Sequence, residues 1–377
     1  MSDWSSGYVA DIGYTHGYYD ELNPQPAKLA LLSSGHVLPE IDVACELGFG
    51  QGLSVNIHTA ASTTEWHGTD FNPSQASYAQ ELAEASNSDA KLYDQSFQEF
   101  CNRPDLPDFD YIGLHGIWSW ISDENRSIIV DFIRRKLKVV GVLYISYNTM
   151  PGWAAFAPLR NLMTQHADVI GSPGSGIVSR IDGSIDFASK LIATNPAYAR
   201  ANPQIAERIE KLKDQNRNYL AHEYFNRDWH PMNFAQMAQW LEPAKLQFAC
   251  SANLLDHVDQ INLTPDQQKF LAELPDPMFR ESVRDFMINQ QFRKDYWVKG
   301  LRKLTPIKRL ELLREQKFIL LKPASEVALK MTTVLGEITL NETIYNAILG
   351  ALDGYKIKLY CGPVMRQPVA IYSGGQG

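Results

Sequence analysis

The sequence predicts an α/β protein built on a parallel sheet with helices on both faces. Three observations carry this. From about residue 41 to 150, short apolar runs alternate with segments of helical period, the pattern of a parallel sheet covered by helices. The first of these runs passes through Glu46-Leu47-Gly48-Phe49-Gly50-Gln51-Gly52 directly into a helical stretch. The chain has 377 residues, 45% of them hydrophobic and 21% charged, enough for a large core and too many for one comfortable domain, so two or three are expected.

In chain order, strands are expected at 41–47, 65–70, 90–94, 109–114 and 141–147, with helices near 52–61, 73–86, 95–102 and 123–137. The second helix opens Asn72-Pro73, a capping residue before a proline at the first helical position. The fourth starts acidic at Asp123-Glu124 and ends basic at Arg134-Arg135-Lys136, as the helix dipole prefers. Residues 41–165 form this core, preceded by an N-terminal segment, 1–40. Past about residue 165 the alternation stops, and 166–222, Gly/Ser-rich and then polar, is expected to be a lid or insertion. A helix at 232–242 and a strand at 246–252 complete the sheet within 223–255. Residues 256–322 are expected to form a helical domain and 323–377 a small C-terminal module.

With 35 basic and 43 acidic residues the net charge is −8, which gives no overall electrostatic footprint for nucleic acid. Cys45, Cys101, Cys250 and Cys361 are scattered and form no CxxC pair, reading as buried thiols in a reducing compartment. No segment reaches the ~20 apolar residues of a membrane span, so a cytoplasmic location is expected.

Glycines at a strand-to-helix turn let the backbone approach a ligand and leave helix N–H groups facing it. Asp70 ends the second strand twenty positions after Gly50, where nucleotide-binding sheets place an acid for the ribose hydroxyls. Glu46 at the first strand tip would repel a pyrophosphate but suits a ligand carrying an ammonium and a sulfonium, and the third glycine is not where the dinucleotide fingerprint needs it. The implied ligand is an adenosine without phosphates, S-adenosylmethionine. The plainer reading is a turn that merely needs glycine, with Glu46 and Asp70 as solvated edge acids. The third strand ends Tyr93-Asp94-Gln95-Ser96-Phe97, beside the expected adenine; Asp94 or Ser96 would contact the ring edge or simply cap the next helix.

Several stretches together resemble class I methyltransferases that carry a methyltransferase regulatory domain, a group that includes bacterial protein-lysine methyltransferases. They are Tyr14-Thr15-His16-Gly17-Tyr18-Tyr19 with Asn23-Pro24, CELGFGQG (45–52), GTDFNP (68–73), DYIGLHGIWSWIS (110–122), SYNTMPGW (146–153), YLAHEYFNRDWHP (219–231) and LPDPMFRESVRDFMINQQFRKD (274–295). The resemblance implies a doubly wound seven-strand Rossmann-like methyltransferase sheet with a helical lid insertion and a mainly helical C-terminal domain. It implies a cofactor site from Glu46, Gly48, Gly50, Asp70, Phe71, Ser96, Phe97 and His115, closed by Tyr14 and Tyr19 of the N-terminal segment. It also implies an acceptor partner, a protein (through lysine) or, as the alternative, a hydroxyl or amine of a small molecule or glycan; a homodimer is left open, and a cofactor-binding regulatory protein without transfer activity is the third alternative.

Methyl transfer needs a neutral nucleophile held in line with the methyl, so positioning supplies most of the rate. Tyr147 and Asn148, which follow the fifth strand, and Trp118, after the fourth, are the candidate catalytic residues; their bland reading is core packing. His222, Glu223 and His230 lack a zinc spacing, so no metal is expected and Tyr219–Trp229 is read as a strand or lid lining the acceptor pocket. Residues 293–322 carry ten basic against three acidic residues, a solvated helical face or a contact for an acidic acceptor.

Overall fold

The computed structural model describes residues 16–171, 174, 176–354 and 358–359. Helix α1 (Pro24–Ser33) is capped by Asn23, whose side chain accepts from the Gln25 amide. The alternating unit follows as β1 (Val43–Leu47), α2 (Leu53–Ala61), β2 (Glu65–Asp70), α3 (Pro73–Ala85), β3 (Lys91–Asp94), α4 (Phe97–Cys101), β4 (Phe109–Leu114), α5 (Asp123–Lys136) and β5 (Leu137–Asn148). Asn72 caps α3 with proline at its first position, and α5 runs from Asp123 and Glu124 to Arg134, Arg135 and Lys136.

Helices α6 (Met150–Trp153), α7 (Ala157–Val169), α8 (Gly176–Ala193), α9 (Ala197–Ala201), α10 (Ile205–Lys213) and α11 (Arg217–Tyr224) come next. They are followed by α12 (Phe234–Leu241), β6 (Leu246–Ser251), α13 (Asp259–Asn262), α14 (Pro265–Glu273), α15 (Pro277–Met287) and β7 (Phe292–Lys299). The chain continues with α16 (Pro306–Arg314), β8 (Lys317–Phe318), β9 (Lys330–Thr333), β10 (Gly336–Thr339), α17 (Glu342–Leu352) and β11 (Lys358–Leu359).

The main sheet has seven strands in the order β3-β2-β1-β4-β5-β7-β6. β1 to β5 pair in parallel, whereas β7 is antiparallel to both β5 and β6. The strand order reverses direction between β1 and β4, and an open sheet binds its ligand outside the carboxyl ends of the strands at such a point. Period-two alternation divides the core between the two faces. Ile145 and Tyr147 of β5 pack with Leu47, Phe132 and Trp297 on one side, and Tyr144 packs with Trp66, Tyr111 and Tyr296 on the other.

Two elements differ from the sequence expectation. Residues 256–322 are not a separate helical domain, because Phe292–Lys299 is an inner strand of the sheet. Arg293, Lys294 and Asp295 hide it: three charged residues in succession do not read as a buried strand, yet Arg293 is neutralised by Asp285 and Asp295 and also reaches Glu281. The second difference is β5, which starts four residues early. Its register against β4 slips between Phe109 and Tyr111, and Val140 sits at φ 69°, a bulge that interrupts the apolar run without ending the strand.

A third apolar cluster lies off the sheet. Trp153, Phe156, Ile181, Ile209, Leu220 and Trp229 bring α6 to α11 together, so this helical unit begins near residue 150, before the expected 166, and reaches Trp229. Farther along the chain, Leu320, Leu349 and Leu352 make a small separate cluster beside the β9–β10 hairpin.

Candidate active site at the carboxyl edge of the sheet

A cavity of about 820 Å³ opens at the carboxyl ends of β1, β2, β4 and β5 and is covered on its far side by the helical unit. Its floor is the loop after β1. Gly48, Gly50 and Gly52 all have positive φ, at 73°, 57° and 71°, a conformation that penalises any Cβ. The three glycines are used differently. A Cβ on Gly48 would come within 2.5 Å of Ile117, and one on Gly52 within 2.4 Å of the Ala79 Cβ, whereas one on Gly50 would meet nothing nearer than Gln75 at 3.9 Å. Gly48 and Gly52 are therefore needed by packing; Gly50 leaves its space to the cavity.

Asp70 closes this loop from β2. Its carboxylate accepts from the Gly50 amide at 2.9 Å and from the Asn72 amide at 3.0 Å, which fixes the side chain before any ligand arrives. Burial raises its pKa to about 6 against the pull of those amides. Glu46 sits deeper, 3% exposed; its Oε2 has no hydrogen-bond partner among the described residues. Burial, with the Asp70 charge added, raises it to about 8. A buried acid without a donor or cation is costly, and the cost is relieved by a positively charged group placed beside it.

The opposite wall comes from β4 and β5. His115 shares a 2.7 Å hydrogen bond between Nδ1 and the Tyr144 hydroxyl, and the Tyr19 ring stacks on its imidazole at 3.9 Å. Burial holds it neutral, with its pKa down at about 4. The Gly116 amide donates to Ser146 Oγ. Tyr144, Ser146 and Asn148 share one face of β5, and Asn148 ends that row at the cavity, with its side-chain nitrogen unpartnered among the described residues. Ser96 caps α4 in a reciprocal capping box with Glu99 while Ser96 and Phe97 line the cavity, next to Ile117, Ile121 and Ile128.

The structure thus brings Tyr19, Glu46, Gly48, Gly50, Asp70, Phe71, Ser96, Phe97, His115 and Asn148 to one cavity. Tyr14 lies outside the described residues. Two expected catalytic residues are corrected. Tyr147 points to the other face of β5, since alternation along the strand sends it away from Asn148, and its hydroxyl donates to Asp295 at 2.9 Å inside the core. Trp118 is likewise enclosed, in a 3₁₀ turn whose indole N–H donates to Met232 Sδ and whose carbonyl accepts from Arg126. Residue 94 does not line the cavity.

The helical unit adds Trp153, Tyr219, Glu223, Asn226 and Asp228, and Gln291, just before β7, and Phe292, its first residue, are added from the other side. Of the two forms expected for Tyr219–Trp229, a strand or a lid, Tyr219–Tyr224 are helical and line the cavity through Tyr219 and Glu223. Gln291 and Phe292 carried no signal because their strand was not recognised. His230 lies 3.7 Å from Asp228, and among the described residues no group of three or more His, Cys, Asp or Glu could hold a metal ion.

A seven-stranded sheet of this order, with its last strand in chain order antiparallel to its neighbours and a glycine loop and acid at the switch point, defines a class I methyltransferase fold. The fold comparison agrees: PKMT2 from Rickettsia typhi, solved in complex with AdoHcy, superposes with a TM-score of 0.69 at 18% identity, over 90% of this chain and 68% of that one. A family model described as "Predicted methyltransferase regulatory domain" matches residues 216–299, the stretch from α11 through β7 that closes the sheet and one wall of the cavity. An uncharacterized protein of Synechocystis sp. is 43% identical over 361 residues, covering 94% of this chain and 71% of its own length. An uncharacterized protein of Rickettsia prowazekii is 31% identical over 225 residues, 58% of this chain and 79% of that one. A second from the same organism is 26% identical over 309 residues, and the match spans about half of it, 53%. The chain belongs to the family of this Synechocystis protein; it has a class I methyltransferase fold and matches the methyltransferase regulatory domain over residues 216–299.

Proposed function

We propose that the cavity binds S-adenosylmethionine and that the protein transfers its methyl group to an amine on a protein, a lysine side chain being the leading acceptor. The single observation that carries the cofactor assignment is Glu46, a buried carboxylate with an orphaned oxygen in a cavity whose floor leaves the space over Gly50 empty. The ammonium and sulfonium of S-adenosylmethionine would supply the missing positive charge. Asp70, already pinned by two amides, keeps lone pairs for two ribose hydroxyls, and the isoleucines beside Phe97 offer an apolar slot for adenine. The solved complex of PKMT2 with AdoHcy supports the same reading.

S-adenosylmethionine supplies an activated methyl on a good leaving group; this chain then has to position the acceptor and keep water out. Neutral His115 cannot repel the sulfonium, and Tyr19 stacked on it closes one side. The acceptor end is acidic and aromatic, with Glu223, Asp228, Trp153 and Tyr219, a surface that attracts an ammonium by charge and by aromatic faces. Calorimetric titration with S-adenosylmethionine and S-adenosylhomocysteine should show binding in the micromolar range of cofactor sites; folded protein that binds neither overturns the assignment. Labelled-methyl transfer into a cell lysate, separated into protein, glycan and metabolite fractions, tests the acceptor. Label in lysine of the protein fraction is expected, and label confined to another fraction overturns the lysine reading.

A further inference from the structure

The acceptor end of the cavity contains a second carboxylate whose situation differs from that of its neighbours. Glu223 lies on α11 and faces the same cavity as Asn148 and Glu46. It makes no hydrogen bond and no ion pair with any described residue, in contrast to Asp228, which pairs with Arg227 at 3.1 Å. The positive charge that acts on it is that of Arg160, buried on α7; its guanidinium donates to the Asn226 carbonyl at 2.9 Å and stacks over Trp229 at 4.7 Å. Asn148, 3% exposed, lines the same cavity, its amide nitrogen without a partner among the described residues. Tyr219, one turn earlier on the helix, and Trp153 add aromatic faces around the carboxylate.

We propose that Glu223 receives the acceptor: it holds an incoming primary ammonium by its carboxylate and takes one proton from it before transfer. This rests on the reading of the cavity as a methyl-transfer site. The step balances as follows. The ammonium R–NH₃⁺ gives one proton to the Glu223 carboxylate and becomes R–NH₂. The nitrogen lone pair forms the new N–C bond while the C–S bond breaks and the sulfur keeps that electron pair, leaving a neutral thioether and R–NH₂⁺–CH₃. The Glu223 acid returns its proton to water. Geometry and chemistry agree with proton acceptance. Burial raises this carboxyl to about 7, Arg160 opposing, and a proton acceptor works best with a pKa near the operating pH. Tyr219 and Tyr224 also feel its charge, and both have their pKa raised by burial and so stay neutral.

The test uses the full chain saturated with S-adenosylhomocysteine and a defined probe, Nα-acetyl-lysine methylamide, with its Nε-acetyl derivative as the uncharged control. Wild type should bind the charged probe about tenfold more tightly than the control, the scale of one charge-assisted hydrogen bond. Glu223→Gln should remove about that factor while S-adenosylhomocysteine affinity stays within about threefold, Glu223→Asp should retain most of it, and Glu207→Gln, at an exposed carboxylate of α10 outside the cavity lining, should change probe affinity by less than about threefold. Equal binding of the two probes, an unchanged Glu223→Gln, or an equal loss in Glu207→Gln overturns the proposal. If Glu223→Gln fails to fold, wild type decides: the Glu223 side-chain carboxyl, followed by ¹³C NMR, should titrate at lower pH with the probe present, and no displacement overturns the assignment. Absence of S-adenosylhomocysteine binding by wild type would instead overturn the methyl-transfer reading.

Discussion

At the scale of single residues, two buried acids and one strand terminus decide what the cavity does. Glu46 ordinarily titrates at 4.5 and is raised to about 8 by burial and the Asp70 charge. Between those values the folded, unliganded protein holds a proton that the unfolded chain has lost, so Glu46 makes stability fall as pH rises from 4.5 to 8. A bound cation favours the ionised form, so cofactor binding should release protons near pH 7 and tighten from pH 6 to 7.5. Calorimetry in buffers of different ionisation enthalpy measures that release, which Glu46→Gln should abolish. Tyr147 and Asn148 should separate cleanly. Asn148→Ala should lower turnover, by roughly 10²-fold if it positions the acceptor, with cofactor affinity within about threefold. Tyr147→Phe leaves the buried Asp295 without its hydroxyl donor and should cost about 1–3 kcal/mol in unfolding free energy, with the folded fraction turning over normally.

At the scale of elements, the turn from β1 into α2 is where sequence and function meet. All three glycines at positions 48, 50 and 52 have positive φ, yet their surroundings differ. Gly52→Val should lower thermal stability sharply, because its Cβ would lie 2.4 Å from that of Ala79 and the helices α2 and α3 would have to part. Gly50→Val adds only φ strain to the fold, since its Cβ faces open space, but it fills the volume meant for ligand. Its midpoint of unfolding should change little beside that of Gly52→Val, while binding of S-adenosylmethionine is lost. Thermal melts with and without cofactor, run on both variants, check the contrast.

Across the whole molecule, β7 ties the regulatory-domain stretch to the catalytic sheet. It lies between β5 and β6, and its Arg293 is enclosed with Asp285 and Asp295, within reach of Glu281, above the rings of Phe234 and Phe248. Taking away the cation leaves buried carboxylates uncompensated, which is far costlier than the intact cluster is stabilising. Arg293→Met should therefore destabilise by about 3–5 kcal/mol, measured by denaturant unfolding. Because β7 pairs with β5 from Val142 to Asn148, the same variant should loosen Asn148 and reduce turnover in the molecules that remain folded.

The sequence by itself determined the elements whose cause is local. The β1 loop was legible because only glycine tolerates its backbone; α3 and α5, because caps, proline and end charges mark their limits; and Glu46 and Asp70, because both lie at strand tips and Asp70 follows Gly50 by twenty positions. Tertiary structure decided everything that depends on pairing between distant segments. β7 was invisible because its charges read as surface until Asp285, eight residues away, and Glu281 are folded against Arg293. The choice between Tyr147 and Asn148 turned on one step of strand alternation, which a sequence locates only to within a residue or two while the strand's start is shifted by a bulge. Glu223 gained its chemical meaning only when α11 was laid over the sheet edge, because desolvation is a property of what surrounds a carboxylate and not of the carboxylate itself.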